Sequence, residues 1–284
     1  MVHRDASLRV RFGHSPDPDD AFMFYGIAAG KVDTSGYVIE QVLEDIETLN
    51  RRALQGELEV TALSIHAYAY LSDLYVLMPC GASMGDGYGP LVVSREIISP
   101  EALASKTIAV PGLLTSAFLA LRLYVGRDFA RKVLRFDRIL EAVAAGEADA
   151  GLIIHEGQLT YRRSGLEEVL DLGRWWAERT AGLPLPLGGN AIRKDLGPEV
   201  IGDVTRILRD SIDYGLAHRG EALAYARDFG RGLDNELTDR FVGMYVNDLT
   251  RDHGARGREA IGRFLALGAE AGLVPRVSSL EFVD

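Results

Sequence analysis

Cysteine is almost absent from this chain: Cys80 is the only one in 284 residues. A single thiol excludes an intramolecular disulfide framework and any thiolate cluster for zinc. Basic charge is also short, with 31 Lys and Arg against 41 Asp and Glu and a formal net charge of -10. That balance argues against a nucleic-acid partner, because phosphates call for basic patches. No apolar run approaches the roughly 20 residues that a membrane helix needs. The opening "MVHRDASLRVRFGHSP" has neither the apolar stretch nor the cleavage site of a leader peptide. The expectation is a cytoplasmic protein without a membrane span. Six histidines, His3, His14, His66, His155, His218 and His253, show no metal-ligand spacing, so no metal site is expected. Walker, dinucleotide and GxSxG motifs are missing too.

What remains is an ordinary globular composition, 47% hydrophobic and 25% charged, on a chain long enough for two lobes. Strand-like runs alternate with helical patterns, which points to an α/β fold with mainly parallel strands. "SLRVRFG", "YVIEQVLE", "EVTALS", "GPLVVSRE", "KTIAVPG" and "AGLII" read as strands, and from about residue 198 the chain reads as helical. "GASMGDGYG" leads into a strand rather than a helix, so it suits a mobile loop better than a phosphate cradle. "ALQGELEVTALSI" and "AVAAGEADAGLII" echo one another, each a helix ending at Gly56 or Gly146 and followed by a buried strand. Two similarly wound lobes would produce that echo. The division it suggests is 1–93 with 190–284 for lobe 1 and 94–189 for lobe 2, with "GLPLPLGGNAIRKDL" carrying the chain back.

In open α/β sheets, ligands bind beyond the carboxyl ends of strands. Polar residues stand at such ends in "HSPDPDD", "SIH", "PGLLTS" and "HEG", and facing lobes would open all of these onto one cleft. Thr115 and Ser116 precede the apolar run "AFLALRLYV", where a helix start suits a carboxylate or phosphate. Plain helix capping accounts for them equally, and Ser15 and Ser64 carry the same ambiguity. His155 leaves a buried strand at its end, and imidazole can take up a proton near neutrality without a metal. A core histidine bonded to a backbone carbonyl is the alternative. "DPDD" lacks the ligand ladder of a calcium loop, which leaves a turn with helix-capping carboxylates. Trp175 and Trp176 in "LGRWWAERT" could line the cleft, but a helix packing on its own lobe explains them as well.

"SPDPDDAFMFYGI", "VLEDIETLNRRAL", "ALSIHAYA", "GYGPLVV", "VPGLLTSAF", "FDRILEAVAAGEADAGLIIHE", "DLGRWWAERTAGLPLPLG" and "YVN" at 245–247 occur in collinear order from about residue 10 to 250. Together they resemble the 1,4-dihydroxy-6-naphthoate synthase family of the futalosine route to menaquinone. The resemblance implies a two-lobed type II periplasmic-binding-protein-like fold with a ligand cleft between the lobes. It implies a carbon–carbon lyase acting on cyclic dehypoxanthine futalosine, a small aromatic carboxylate, without metal or organic cofactor. By position it puts the proton-abstracting residue at His155 and substrate contacts at Ala62, Leu63, Ser64, Thr115 and Ser116, with Ser15 nearby. The family pattern Ser-Pro-Cys-Pro-Asn-Asp is departed from at Asp17 and Asp19. Ala62 stands where the family carries lysine, and Ser116 where it carries threonine. Two other readings share the fold: chorismate dehydratase of the same route, and a solute-binding protein. Oligomeric state stays open.

Overall fold

The computed structural model describes residues 8–284. Ser7, at the head of the expected first strand, and His3 lie outside the described residues. The first sheet starts with β1 (Arg9–His14), which runs parallel to β2 (Val38–Leu43) and β3 (Val60–Ser64). The helix Pro18–Ala28 joins β1 to β2, with proline at its start, where the missing N–H costs nothing. The helix Ile46–Ala53 joins β2 to β3. Asp45 caps it, its carboxylate accepting from Glu47 and Thr48 N–H at 3.1 Å each. Every residue of β3 is buried, which is why it reads as an unbroken apolar run rather than an alternation.

Two short strands follow, β4 (Tyr75–Leu77) and β5 (Ser83–Gly85), and then the chain crosses to a second sheet. That sheet holds β6 (Leu91–Ser94), β7 (Ile108–Val110), β8 (Arg131–Val133), β9 (Ala150–Ile153) and β10 (Glu167–Asp171), in the order β10-β6-β9-β7-β8. The chain returns as β11 (Leu185–Arg193), which pairs with β3, β4 and β5. Both sheets are therefore mixed, not mainly parallel. Strands wound through helices inside one lobe (β1, β2, β3 and β7, β8, β9) run parallel. The strands bordering the crossings, β6 and β11, run against them. The glycine-rich segment taken for a mobile loop contains β5, held in the sheet by β11.

The echo has a structural counterpart. Gly56 and Gly146 both adopt left-handed φ, +65° and +77°, just past the helices that lead to β3 and β9. After β11 the chain is helical, through Pro198–Ala217, Arg219–Ala226, Asn235–Tyr245 and Gly254–Glu270. The first three pack on the helix Pro18–Ala28 and so belong to the first-sheet lobe. The last is shared. Its Phe264 sits in one apolar cluster with Leu63 and Leu77 of the first sheet and Val92 and Ile108 of the second. From the same helix, Arg256 bonds Asp86 on the outgoing crossing (2.8 and 2.6 Å) and the Gly182 carbonyl on the return (2.7 Å). Among the described residues no helix is long and apolar enough to cross a membrane.

Trp176 is fully buried, stacks edge-on against Phe264 at 5.4 Å and donates its indole N–H to the Pro184 carbonyl at 3.0 Å. It packs the helix Leu172–Arg179 against the shared C-terminal helix rather than lining the cleft. Trp176→Ala should therefore cost about 3–5 kcal/mol, as large aromatic truncations in cores do. Urea denaturation would measure the loss.

Candidate active site

Between the two sheets lies a cleft, open to solvent, with about 720 Å³ of empty space. The turn after β1 brings Ser15, the end of β3 brings Ala62, Leu63 and Ser64, the start of the helix Ser116–Val125 brings Thr115 and Ser116, and the end of β9 brings His155. The polar strand ends noted in the sequence thus converge, because in both lobes the carboxyl ends of the strands point at the other lobe.

Several of these side chains already have partners. Ser64 accepts from the buried Asn50 amide at 3.0 Å and returns its own N–H to Asn50 Oδ1 at 2.8 Å. Thr115 caps its helix, its hydroxyl accepting from Phe118 N–H at 3.2 Å. The Ser116 hydroxyl accepts from His66 N–H at 3.1 Å and donates to the Leu187 carbonyl, so it stitches the second lobe to the first. His66 is a core histidine: its Nδ1 lies 3.1 Å from the Thr115 carbonyl, and burial pushes its imidazole down to about 4. Across the cleft, the Glu47 carboxylate accepts from the N–H groups of Leu113 (3.3 Å) and Leu114 (3.1 Å), with Arg51 at 2.8 Å on one oxygen. Only glycine permits that approach at position 112, where a Cβ would lie 2.3 Å from Glu47 Oε2.

His155 occupies the most constrained position in the cavity wall. Its φ of +59° is left-handed, uncommon for a residue with a Cβ. Nδ1 lies 2.7 Å from Asp17 Oδ2, and the Phe136 ring stands edge-on at 4.5 Å. Nε2 is buried and makes no hydrogen bond within the protein. Arg231 holds the other Asp17 oxygen at 2.7 Å and reaches Glu156 at 3.1 Å and the Pro16 carbonyl at 3.1 Å. The Ser15 hydroxyl adds a 2.7 Å bond to Asp17. Burial works against the imidazolium, but the Asp17 carboxylate outweighs it and raises His155 to about 9. Burial likewise opposes the Asp17 charge, yet His155 and Arg231 together hold its carboxyl below the usual range.

Asp17 was expected to cap a helix. It stands at the N-cap position of Pro18–Ala28 but makes no side-chain cap bond, because His155, Arg231 and Ser15 claim its oxygens. Asp20 accepts from Ser15 N–H at 2.8 Å. Burial, reinforced by the charges of Asp20 and Asp17, holds Asp19 well above the carboxylate range. Arg231 gave no signal in the sequence: 214 residues separate it from Asp17, and it lies in a segment without a motif. Gln158 and Tyr245, joined by a 2.9 Å hydrogen bond, line the cavity as well. Among the described residues no group of three or more His, Cys, Asp or Glu is arranged to hold a metal ion.

This geometry can move a proton. One imidazole nitrogen is fixed by a carboxylate and the other is unengaged, in the wall of the cavity.

Comparison with known proteins gives the site a context. Residues 10–270 match the family model described as menaquinone biosynthesis. A 1,4-dihydroxy-6-naphthoate synthase of Thermus thermophilus is 47% identical, over 93% of this chain and 95% of its own. A crystal structure of an Archaeoglobus fulgidus protein superposes with a TM-score of 0.89 at 50% identity, over 94% of this chain and 98% of that one. The alkanesulfonate-binding protein of Xanthomonas axonopodis aligns at 15% identity with a TM-score of 0.70, over 95% and 96% of the two chains. That likeness concerns the fold alone, the two-lobed fold of periplasmic binding proteins.

The ion pair sets a stability limb. His155 is raised above its ordinary 6.5, so its contribution is complete below about 6.5 and is lost as pH rises through about 9. The difference in melting temperature between the wild type and His155→Ala should therefore shrink across that window. Thermal melts at a series of pH values would follow it.

Proposed function

The chain belongs to the menaquinone biosynthesis family, and from that premise we propose that it is a cytoplasmic lyase that converts cyclic dehypoxanthine futalosine to 1,4-dihydroxy-6-naphthoate, with His155 as general base. The observation that carries this reading is an imidazole pinned through Nδ1 by Asp17, with an unengaged Nε2, in the wall of the inter-lobe cavity. A solute carrier of the same fold needs no such group.

In the proposed reaction, Nε2 takes the proton of a hydroxyl on the ribose-derived ring. The freed oxygen pair closes to a carbonyl as the adjacent carbon–carbon bond breaks in a retro-aldol sense. The electrons of that bond pass into the ring ketone as an enolate. The imidazolium returns its proton to the product, and the ring aromatises. Aromatisation supplies the drive, so the protein has mainly to orient the substrate and carry the proton. Such a sequence calls for neither metal, nicotinamide nor flavin. The substrate carboxylate fits the start of the helix Ser116–Val125, whose first N–H groups have no intrahelical acceptor. Glu47 already occupies Leu113 and Leu114, so the anion site lies at Thr115 and Ser116 themselves. Ser15 and the residues Ala62, Leu63 and Ser64 form the opposite wall.

A product assay separates this reading from its rivals: a dehydratase would consume chorismate, and a carrier would change neither compound. His155→Ala should lower kcat by about 10²–10⁴-fold while leaving the melting profile cooperative. In the wild type, protonation removes the base, so kcat should rise about tenfold per pH unit up to about 9 and then level off. Near-normal turnover of a folded His155→Ala would refute the assignment.

Removing the hydroxyls of Thr115 and Ser116 together, by T115A and S116A, should weaken binding of the aromatic acid more than it slows the bound complex. Calorimetric titration with the product checks this, and an unchanged dissociation constant would move the carboxylate elsewhere.

A further inference from the structure

Asp17 and His155 belong to opposite lobes. Asp17 lies in the turn after β1 of the first sheet, and His155 follows β9 of the second. Arg231 comes from the segment between the helices Arg219–Ala226 and Asn235–Tyr245, on the first-sheet side, and bridges Asp17 to Glu156 of the second. The imidazole's carboxylate partner, and the cation that keeps that carboxylate charged, thus both reach it across the cleft. His155 (φ +59°) and Arg231 (φ +42°) are two of only four non-glycine residues with positive φ among those described. Backbone in that region is strained for a residue with a Cβ and persists where surrounding contacts over-determine it. Here those contacts include the bonds made between the lobes, His155 to Asp17 and Arg231 to Glu156.

We propose that Asp17 is a positioning residue delivered across the cleft, so that His155 becomes a competent base only when the lobes close, with Arg231 as the tie that holds Asp17 and Glu156 together. The inference rests on His155 being the base. With the lobes apart, Nδ1 has no carboxylate, and the neutral ring is free to carry its proton on either nitrogen. On closure Asp17 accepts Nδ1–H, which leaves Nε2 as the single basic atom. When the substrate O–H bond breaks and the Nε2–H bond forms, the positive charge arises beside an ionised carboxylate already in place. The proton stays on Nε2 until it is returned to the product. Catalysis and closure are then one event, and an open molecule does not fragment its substrate outside the cavity.

Asp17→Asn tests the proposal, because it keeps the shape and removes the charge. It should lower kcat by about 10²–10⁴-fold with KM nearly unchanged, the range over which loss of a histidine-orienting carboxylate acts. The limb of kcat against pH, which reports the closed complex, should also move from about 9 toward the ordinary imidazole value of about 6.5, with Glu156 and Asp19, whose charges also favour the imidazolium, left in place. A merely structural role would reduce the yield of folded enzyme without moving that limb. His155→Ala serves as the control. If it is active, the base reading itself fails. If it is inactive while Asp17→Asn keeps both rate and limb, the positioning role fails and the base stands. The closure arm is read by small-angle scattering with saturating product: Arg231→Met should give a larger radius of gyration than the wild type and a lower kcat. Unchanged values of both would overturn the coupling. Should Asp17→Asn not fold, ¹⁵N-histidine spectra of the wild-type enzyme with product at about pH 10 decide the matter. The neutral His155 ring should carry its proton on Nδ1, and a proton on Nε2 would overturn the proposal.

Discussion

A carboxylate buried as deeply as Asp17, with 2% of its side-chain surface exposed, stays charged only where partners replace its water. It has three: the imidazole of His155, the guanidinium of Arg231 and the hydroxyl of Ser15. Two lie on its own lobe and one on the other. The cleft residues are organised around that arrangement. Ser15 is turned inward by Asp20, Glu156 is drawn toward the cleft by Arg231, and Phe136 packs its edge against His155 and its face beneath Arg231 at 4.6 Å. Removing any one partner would leave the carboxylate under-compensated, so the cluster behaves as a unit.

The sequence made the architecture legible where the physics is local. Asp45 and Thr115 cap helices because short polar side chains before an apolar run have little else to do. β3 and β9 showed themselves as apolar runs because they are buried on both faces. The strand ends that converge on the cavity were legible for the same reason: a run of core residues that stops at a polar one marks an edge. Strand direction was not legible, because the crossings that reverse β6 and β11 leave no mark on side-chain periodicity. Nor was the role of Asp17. Locally it is a helix cap, and only the fold reveals that His155 and Arg231 outbid the backbone for its oxygens.

The likeness to binding proteins and the membership of a biosynthetic family are compatible because the fold supplies a cleft and the cleft residues supply the chemistry. Those residues sit on turns and strand ends, which can change without disturbing the sheets. Asp17 brings a full charge to His155 and thereby a dependence on Arg231, so the two act as a pair.

Glu47 has a consequence of a different kind. Backbone N–H groups at the mouth of a helix are natural holders of anions, and here two of them, at Leu113 and Leu114, are taken by a carboxylate of the protein itself. A vessel built for transport profits from gripping its cargo with every available donor. A catalyst that releases an aromatic acid at each cycle does not, since grip shared by substrate and product slows departure without hastening the chemistry. On the proposed reading, by occupying the N–H groups beside Thr115 from within, Glu47 tilts the cleft away from retention and toward turnover.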